Sequence, residues 1–115
     1  QLQIHAGGLP QRQLWPVLDH IHETLEEDLK LADLAAMAGL RPYHFSRQFK
    51  QAVGVAPYQY VLQQRVERAK QLLKQTNHPI VEIALLCGFN SHSHLSQQFR
   101  QATGTTPSAY RANLQ

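Results

Sequence analysis

The sequence predicts an all-α protein of about seven helices, in which two small helical hairpins are joined by a long central helix. Apolar residues recur at three- and four-residue spacing along most of the chain, which places them on one face of each helix. Glycine and proline stand between these segments, where helices end and begin. A segment over 31–53 returns as a near copy over 80–103, so the fold is built on an internal repeat.

Length and charge limit the classes of protein and of partner. At 115 residues the chain can form one compact unit, or two very small ones that share a core element. Its 43% hydrophobic and 17% charged residues are typical of a globular protein. The formal net charge is +3, and all acidic residues except Glu67 and Glu82 precede residue 34, so the rest of the chain is basic. A basic surface favours a polyanionic partner.

The single cysteine, Cys87, allows no internal disulfide and is typical of a reducing cytosol. No apolar run approaches the ~18 residues of a membrane-spanning helix, and no signal peptide is recognisable. We therefore expect a cytoplasmic protein with no membrane attachment. Cys87 corresponds to Ala38 in the first copy of the repeat, a small inward position, which favours a buried, inert thiol over a redox switch.

Residues 1–12 are interpreted as a linker stub. They contain Gly7, Gly8 and Pro10, which interrupt regular structure, and a frayed terminus is the alternative interpretation. Because the chain starts with Gln1 rather than Met, we interpret it as an excerpt and expect a further domain upstream.

The first helix-turn-helix subdomain is predicted over 13–57. Gly39 supplies the positive φ that ends one helix, and Pro42 suits the first position of the next. The inward-facing positions, which share helical spacing, are Leu14, Val17, Leu18, Ile21, Leu25, Leu31, Leu34, Ala35, Ala38, Phe45, Phe49 and Ala52.

The connecting helix is predicted over 58–76, where apolar residues keep helical spacing without a breaker. At 1.5 Å per residue, the residues over 58–75 form a rod of about 27 Å. Such a rod can hold two subdomains near the ~34 Å separation of successive major-groove faces on one side of B-DNA. Its cations are expected to face solvent, with phosphate contact by one or two of them as the alternative. They are Arg65, Arg68, Lys70 and Lys74.

The second helix-turn-helix subdomain is predicted over 77–115 because it repeats the first at its glycine, proline, small and aromatic positions. The matches before the turn share a shift of 49 positions, and those after it a shift of 50, so the turn has gained one residue. The matched pairs are Ala35 and Ala84, Gly39 and Gly88, Phe49 and Phe99, Gly54 and Gly104, Pro57 and Pro107, and Tyr60 and Tyr110.

The second helix of each hairpin presents a polar outward face, as in a helix-turn-helix that reads the major groove. In the first copy this face consists of Tyr43, Ser46, Arg47 and Lys50. Arg47 is the strongest single candidate, because a guanidinium can bind guanine through two hydrogen bonds, worth about 1–3 kcal/mol against a wrong base. A structural salt bridge is the alternative role for Arg47, although no acid lies nearby in sequence.

The second copy carries Ser93, Ser96, Gln97 and Arg100 on the corresponding face, with His94 beside it. Gln97 replaces Arg47, so this half is expected to hold DNA less strongly, or to read adenine through its amide. His92 and His94 are two residues apart and diverge on a helix, which argues against a zinc site. No metal or other cofactor is expected.

These motifs resemble the DNA-binding domain of the AraC/XylS family of bacterial transcription regulators. The resemblance rests on the run A-x3-G-x9-F-x4-G-x2-P from Ala35 to Pro57, on the helix segment over 65–73, and on the segments over 83–89 and 99–111. It implies a seven-helix domain that places two recognition helices in successive major grooves of double-stranded DNA. Arg41, where a small hydroxyl is usual, and Leu95, where an aromatic is usual, depart from the family pattern.

The resemblance also implies site residues and partners. Base contacts would come from Tyr43, Ser46, Arg47, Ser93, His94 and Gln97, and backbone contacts from Arg41, Lys50, Ser96 and Arg100. RNA polymerase is a candidate second partner. Family members commonly carry an N-terminal effector-binding or dimerisation domain, although some stand alone.

Two other classes of function compete with DNA binding. An enzyme is disfavoured because the sequence shows no paired carboxylates on one helix face, no phosphate-binding glycine loop and no metal-ligand spacing. A protein-interaction module would tend to present apolar grooves rather than a polar face with Arg47 and Lys50. The steep salt dependence of DNA binding would separate the last two classes.

Overall fold

The computed structural model describes residues 7–114, which form seven α-helices and no β-strand. The helices are α1 (Gln11–Glu23), α2 (Leu31–Met37), α3 (Pro42–Val53), α4 (Pro57–Gln75), α5 (Ile80–Leu86), α6 (His92–Thr103) and α7 (Pro107–Ala112). The predicted all-α fold with a long central helix is confirmed. Half of the predicted linker over 1–12 lies outside the described residues. No helix within 7–114 has both the length and the apolar character needed to cross a membrane.

The chain divides into two compact units. The first comprises the described residues up to Thr24 together with Asp28–Val61. The second comprises the short segment Leu25–Glu27 and the described residues from Leu62 onward. Helix α4 begins in the first unit and ends in the second.

The core of the first unit is formed by α1, α2 and α3 with the start of α4. Phe45 and Phe49 are fully buried, and the Phe49 ring packs against the rings of Phe45 and Tyr60 at centroid distances of 5.6 and 5.8 Å. The Tyr60 hydroxyl lies 2.7 Å from His22 Nε2, and burial raises the pKa of the Tyr60 phenol. The predicted stripe on α1 is confirmed, because Leu14, Val17, Leu18 and Ile21 are all fully buried.

The core of the second unit repeats this arrangement. Phe99 is fully buried and lies 5.3 Å from the ring of Tyr110, edge to face. Aromatic pairs of this geometry add about 0.5–1.5 kcal/mol to the effect of burial alone. The buried residues of this core are Leu62, Val66, Ala69, Leu73, Ile83, Ala84, Cys87, Phe89, Leu95 and Phe99.

The internal repeat is confirmed by the positions of the helix ends. Helices α2 and α5 span seven residues each, and α3 and α6 span twelve. The caps of the outward-facing helices differ. The Ser91 hydroxyl accepts a hydrogen bond from the His94 N–H at 3.1 Å and caps α6. Arg41 precedes α3 without a side-chain cap, as expected from its poor capping chemistry.

The prediction that all four cations of the central helix face solvent is wrong for Arg65. Its side chain is buried, Nε donates to the Leu25 carbonyl at 3.0 Å, and an Nη donates to the Glu27 carbonyl at 2.8 Å. Arg65 therefore anchors the segment Leu25–Glu27 within the second unit. Arg68 is partly exposed and lies 3.8 Å from Glu26, and Lys70 pairs with Glu67 at 2.8 Å.

Arg111 has a similar structural role at the end of α4. Its guanidinium donates to the carbonyls of Leu73, Thr76 and His78 at 3.3, 3.2 and 2.7 Å. Leu73 lies in the last turn of α4, where carbonyls lack partners within the helix, and Arg111 satisfies this one. This contact fixes α7 to the loop between α4 and α5.

Candidate nucleic-acid interface

Helix α3 separates an apolar inward face from a polar outward face. Phe45 and Phe49 point into the core of the first unit and hold the helix in place. Tyr43, Arg47 and Lys50 are exposed on the other side, and Ser46 is half-buried at its edge. Arg41 is exposed just before the helix begins. The structure thus brings together all five predicted contact residues of the first copy on one accessible surface.

Two exposed side chains on α3 contact the exposed ring of Tyr43. The guanidinium carbon of Arg47 lies 5.7 Å from the centre of the Tyr43 ring. The His44 ring meets the same tyrosine edge to face, with centroids 5.8 Å apart. Among residues 7–114, Arg47 makes no ion pair, so its guanidinium donors are available to a ligand. Within this part of the chain, Arg47 therefore does not form the structural salt bridge that was its alternative role.

Helix α6 has the same division of faces but different outward chemistry. Leu95 and Phe99 are fully buried in the second unit. Ser93, Gln97 and Arg100 are exposed. The half-buried predicted contacts are His94 and Ser96.

His94 has an additional structural contact that its sequence position did not reveal. Its ring meets the ring of Phe89 edge to face at a centroid distance of 5.1 Å. The backbone N–H of His94 is also the group that the Ser91 hydroxyl caps. These two contacts fix the first turn of α6, and His94 stays partly accessible to solvent.

The two outward faces differ in positive charge. Arg41, Arg47 and Lys50 lie at or on α3, whereas Arg100 is the one Lys or Arg on α6. His44 is a further exposed residue of α3 that sequence reasoning did not assign to the site. Its position directly after Tyr43 in the first turn was the available signal. The outward face of α3, with Arg41 beside it, therefore carries more positive charge for a polyanion than the outward face of α6 does.

Cys87 lies in the core behind α6, fully buried, in the position that Ala38 occupies in the first unit. Burial raises the pKa of the Cys87 thiol to about 11, against the opposing effect of Arg68 and Arg65. The prediction of a buried thiol is confirmed.

We expect Cys87 to react very slowly with a thiol-exchange reagent at pH 8 in the folded protein and rapidly in denaturant, since only the thiolate is nucleophilic. The folded thiol keeps its proton up to a higher pH than the unfolded thiol. Its contribution to stability is therefore complete below pH 9 and is lost as the pH rises towards about 11. Labelling kinetics with and without urea provide the measurement. Rapid labelling without denaturant would contradict burial.

An apolar depression of about 690 Å³ lies on the surface of the second unit, and none of the outward residues of α6 that are named above lines it. Leu85 is 58% exposed and Leu86 44% exposed at this depression, where α2 of the first unit has Ala36 and Met37. The lining residues are Glu26, Arg68, Leu72, Glu82, Leu85 and Leu86.

Comparison with known proteins gives one family and close structural neighbours. A profile of the helix-turn-helix domain family matches residues 34–113, which include α3 and α6. The chain is 38% identical over 93 residues to the probable transcriptional regulator LumQ of Photobacterium leiognathi. That match covers 81% of this chain and 38% of LumQ, so the chain spans well under half the length of this relative.

Two solved structures have closely similar folds. The DNA-binding domain of AdpA, a global transcriptional factor solved in complex with a target DNA, superimposes with a TM-score of 0.84 and 37% identity, over 88% of this chain and 91% of that one. A transcriptional regulator from Chromobacterium violaceum, described as containing an AraC-type DNA-binding domain, superimposes with a TM-score of 0.83 and 38% identity. The second match covers 90% of this chain and 92% of that chain.

Proposed function

The chain belongs to the AraC family of helix-turn-helix DNA-binding domains, and we propose that it is the sequence-specific DNA-binding domain of a bacterial transcription regulator, reading successive major grooves with α3 and α6. In this proposal Tyr43, Ser46 and Arg47 contact bases through α3. Ser93, His94 and Gln97 contact bases through α6. The backbone phosphates are bound by Arg41, Lys50, Ser96 and Arg100.

The observation that carries this proposal is the repeated pattern of exposure on α3 and α6. In both helices the same positions are buried, half-buried and exposed over ten consecutive residues, with the exception of one position in the first turn. The exposed positions carry donors that suit base edges and phosphates, and Arg47 has no competing ion pair within 7–114. Two helices with equivalent packing but different polar side chains suit a ligand that repeats in shape and varies in sequence.

Selection of bound duplexes from a random pool, followed by a salt titration, tests the proposal. We expect a defined sequence to emerge, with contacted base pairs in two groups about one helical turn apart. For three cationic phosphate contacts, the logarithm of affinity should fall with the logarithm of salt concentration with a slope of about −3. Recovery of sequences without any shared base pairs would contradict sequence-specific reading.

Protein binding is a second candidate function, and the apolar depression beside Leu85 and Leu86 favours it. Apolar surfaces of this kind serve protein contacts better than phosphate contacts. The two functions are compatible, because the depression and the outward residues of α6 do not overlap. The salt titration separates them, since an apolar contact changes little with salt whereas phosphate contacts weaken steeply.

Other parts of the proposal concern the whole protein. RNA polymerase is a candidate partner, because a domain that binds promoter DNA acts on transcription by assisting or obstructing the polymerase. Bacterial DNA lies in the cytoplasm, so this is the proposed location. Catalysis is not part of the proposed function of this domain.

A further inference from the structure

We infer that Tyr43 acts through Arg47, as a platform that holds the guanidinium in position, and that it does not read a base by itself. The inference rests on the proposed function and replaces the base contact proposed there for Tyr43 with a positioning role. Its basis is the contact between the two side chains on the exposed face of α3. It makes Tyr43 a specificity-determining residue that contributes no base contact of its own.

The geometry of the pair is that of a cation–π contact. The two residues are four positions apart on α3, a spacing that places side chains next to each other on one face of a helix. The guanidinium carbon is 5.7 Å from the ring centroid, within the ~6 Å at which a cation is attracted to an aromatic face. Arg47 has no ion pair within 7–114 that would draw it elsewhere.

A platform is useful here because an exposed arginine is mobile. Its long side chain samples many rotamers, and binding in one of them loses conformational entropy. Stacking on a ring restricts the free side chain before DNA arrives, so less freedom remains to be lost on binding. The ring itself is held at the start of α3, where Pro42 fixes the backbone and His44 meets the tyrosine edge to face.

The second unit provides a natural comparison. The residues that correspond to Tyr43 and Arg47 are Ser93 and Gln97. Neither a ring nor a cation is present at these positions, so the two residues cannot form this pair. The ring and the cation occur together in one copy of the repeat and are both absent from the other, as expected if the ring serves the cation.

A double-mutant cycle on the full chain tests the inference. The probe is the duplex selected from a random pool by the unmodified chain, together with duplexes changed at single base pairs, and affinity is measured by fluorescence anisotropy. We expect Tyr43→Ala to weaken binding to the selected duplex by about 2- to 5-fold. The same substitution in an Arg47→Ala background should have no further effect, and Tyr43→Phe should bind like the unmodified chain.

The base pair at which discrimination is lost gives a second readout. Tyr43→Ala should reduce discrimination at the base pair where Arg47→Ala abolishes it, and at no other. Tyr58→Ala is the matched control, because Tyr58 is 57% exposed and the proposed function gives it no contact with DNA, and it should leave discrimination at that base pair unchanged. Circular dichroism should show all variants folded, because Tyr43 is 68% exposed and Arg47 is exposed.

Three outcomes would overturn the inference. Equal losses from Tyr43→Ala in the presence and absence of Arg47 would show that the tyrosine acts independently. If Tyr43→Phe bound the selected duplex less tightly than the unmodified chain, the Tyr43 hydroxyl would be shown to contact the DNA. Both of these would leave the proposed function standing. No loss of discrimination from Arg47→Ala would remove Arg47 from the base readers and overturn the inference, whereas a pool selection that returned no shared base pairs would overturn the proposed function itself.

Discussion

Replacement of Gly88 by alanine is expected to lower the free energy of unfolding by about 2–5 kcal/mol. Gly88 follows α5 with φ +94°, a left-handed conformation that L-residues adopt at a penalty of about 1–2 kcal/mol. A methyl group there would also overlap the Leu25 carbonyl oxygen and lie 2.7 Å from Arg65 Nε. It would therefore intrude on the hydrogen bond that anchors Leu25–Glu27. Urea denaturation followed by circular dichroism provides the measurement.

Gly39→Ala is the matched control for this prediction. Gly39 occupies the same place in the first hairpin and has φ +72°, but a methyl group there would have no neighbour within 4 Å. Gly39→Ala should lower the free energy of unfolding only by the conformational penalty of about 1–2 kcal/mol. If the two substitutions lowered stability equally, the contact among Gly88, Arg65 and Leu25 would have no energetic importance.

Arg47→Ala is expected to weaken binding to the selected duplex by about 1–3 kcal/mol, or roughly 5- to 150-fold, while binding to random duplex falls much less. The physical reason is that a guanidinium reading a base edge makes contacts that only the correct base completes, whereas non-specific binding depends on phosphates. Affinities for both duplexes at one salt concentration are the required measurement. Equal losses on the two duplexes would remove Arg47 from the proposed base readers.

Two further substitutions calibrate this result. Lys50→Ala should weaken both duplexes alike and make the salt dependence shallower by about one unit of slope, because Lys50 is proposed to bind a phosphate. Gln97→Ala should show a smaller loss of specific binding than Arg47→Ala, since a neutral amide gains less from the DNA than a cation does. A larger loss for Gln97→Ala would make α6 the dominant reader.

Most of the fold could be predicted because its signals are local. Helical spacing, Gly39, Gly54 and the prolines at the starts of α3, α4 and α7 fix the helix ends, and the structure reproduces them closely. The repeat strengthened each assignment, because glycine and proline occur at the corresponding helix ends in both copies. Inward aromatics such as Phe49 and Phe99 are fully buried, as their spacing predicted.

Arg65 could not be predicted from the same signals. Its position falls within the apolar stripe of α4, but a charged residue there was assigned to the solvent by its chemistry. What places it inside is a pair of backbone carbonyls about 40 positions earlier, in a short segment without helical structure. A single sequence does not reveal which distant carbonyls lack donors, because that depends on the tertiary fold.

The candidate site was predictable in outline for a related reason. Periodicity determines which side of α3 and α6 faces outward, so the exposed residues could be named from sequence. The stacking of Arg47 on Tyr43 depends on side-chain rotamers, which spacing permits but does not dictate. The roles of these residues towards DNA stay predictions until binding is measured.

The duplicated framework with dissimilar outward side chains has a consequence for how target sites should be sought. Two equivalent hairpins suggest an operator that contains the same half-site twice. With Arg47 in one copy and Gln97 in the other, we instead expect two half-sites of different sequence in a fixed order, so that the operator has a direction. A genome scan for tandem or palindromic repeats would miss such operators. A scan with a single asymmetric motif would find them and would also give the orientation of the bound protein relative to the promoter.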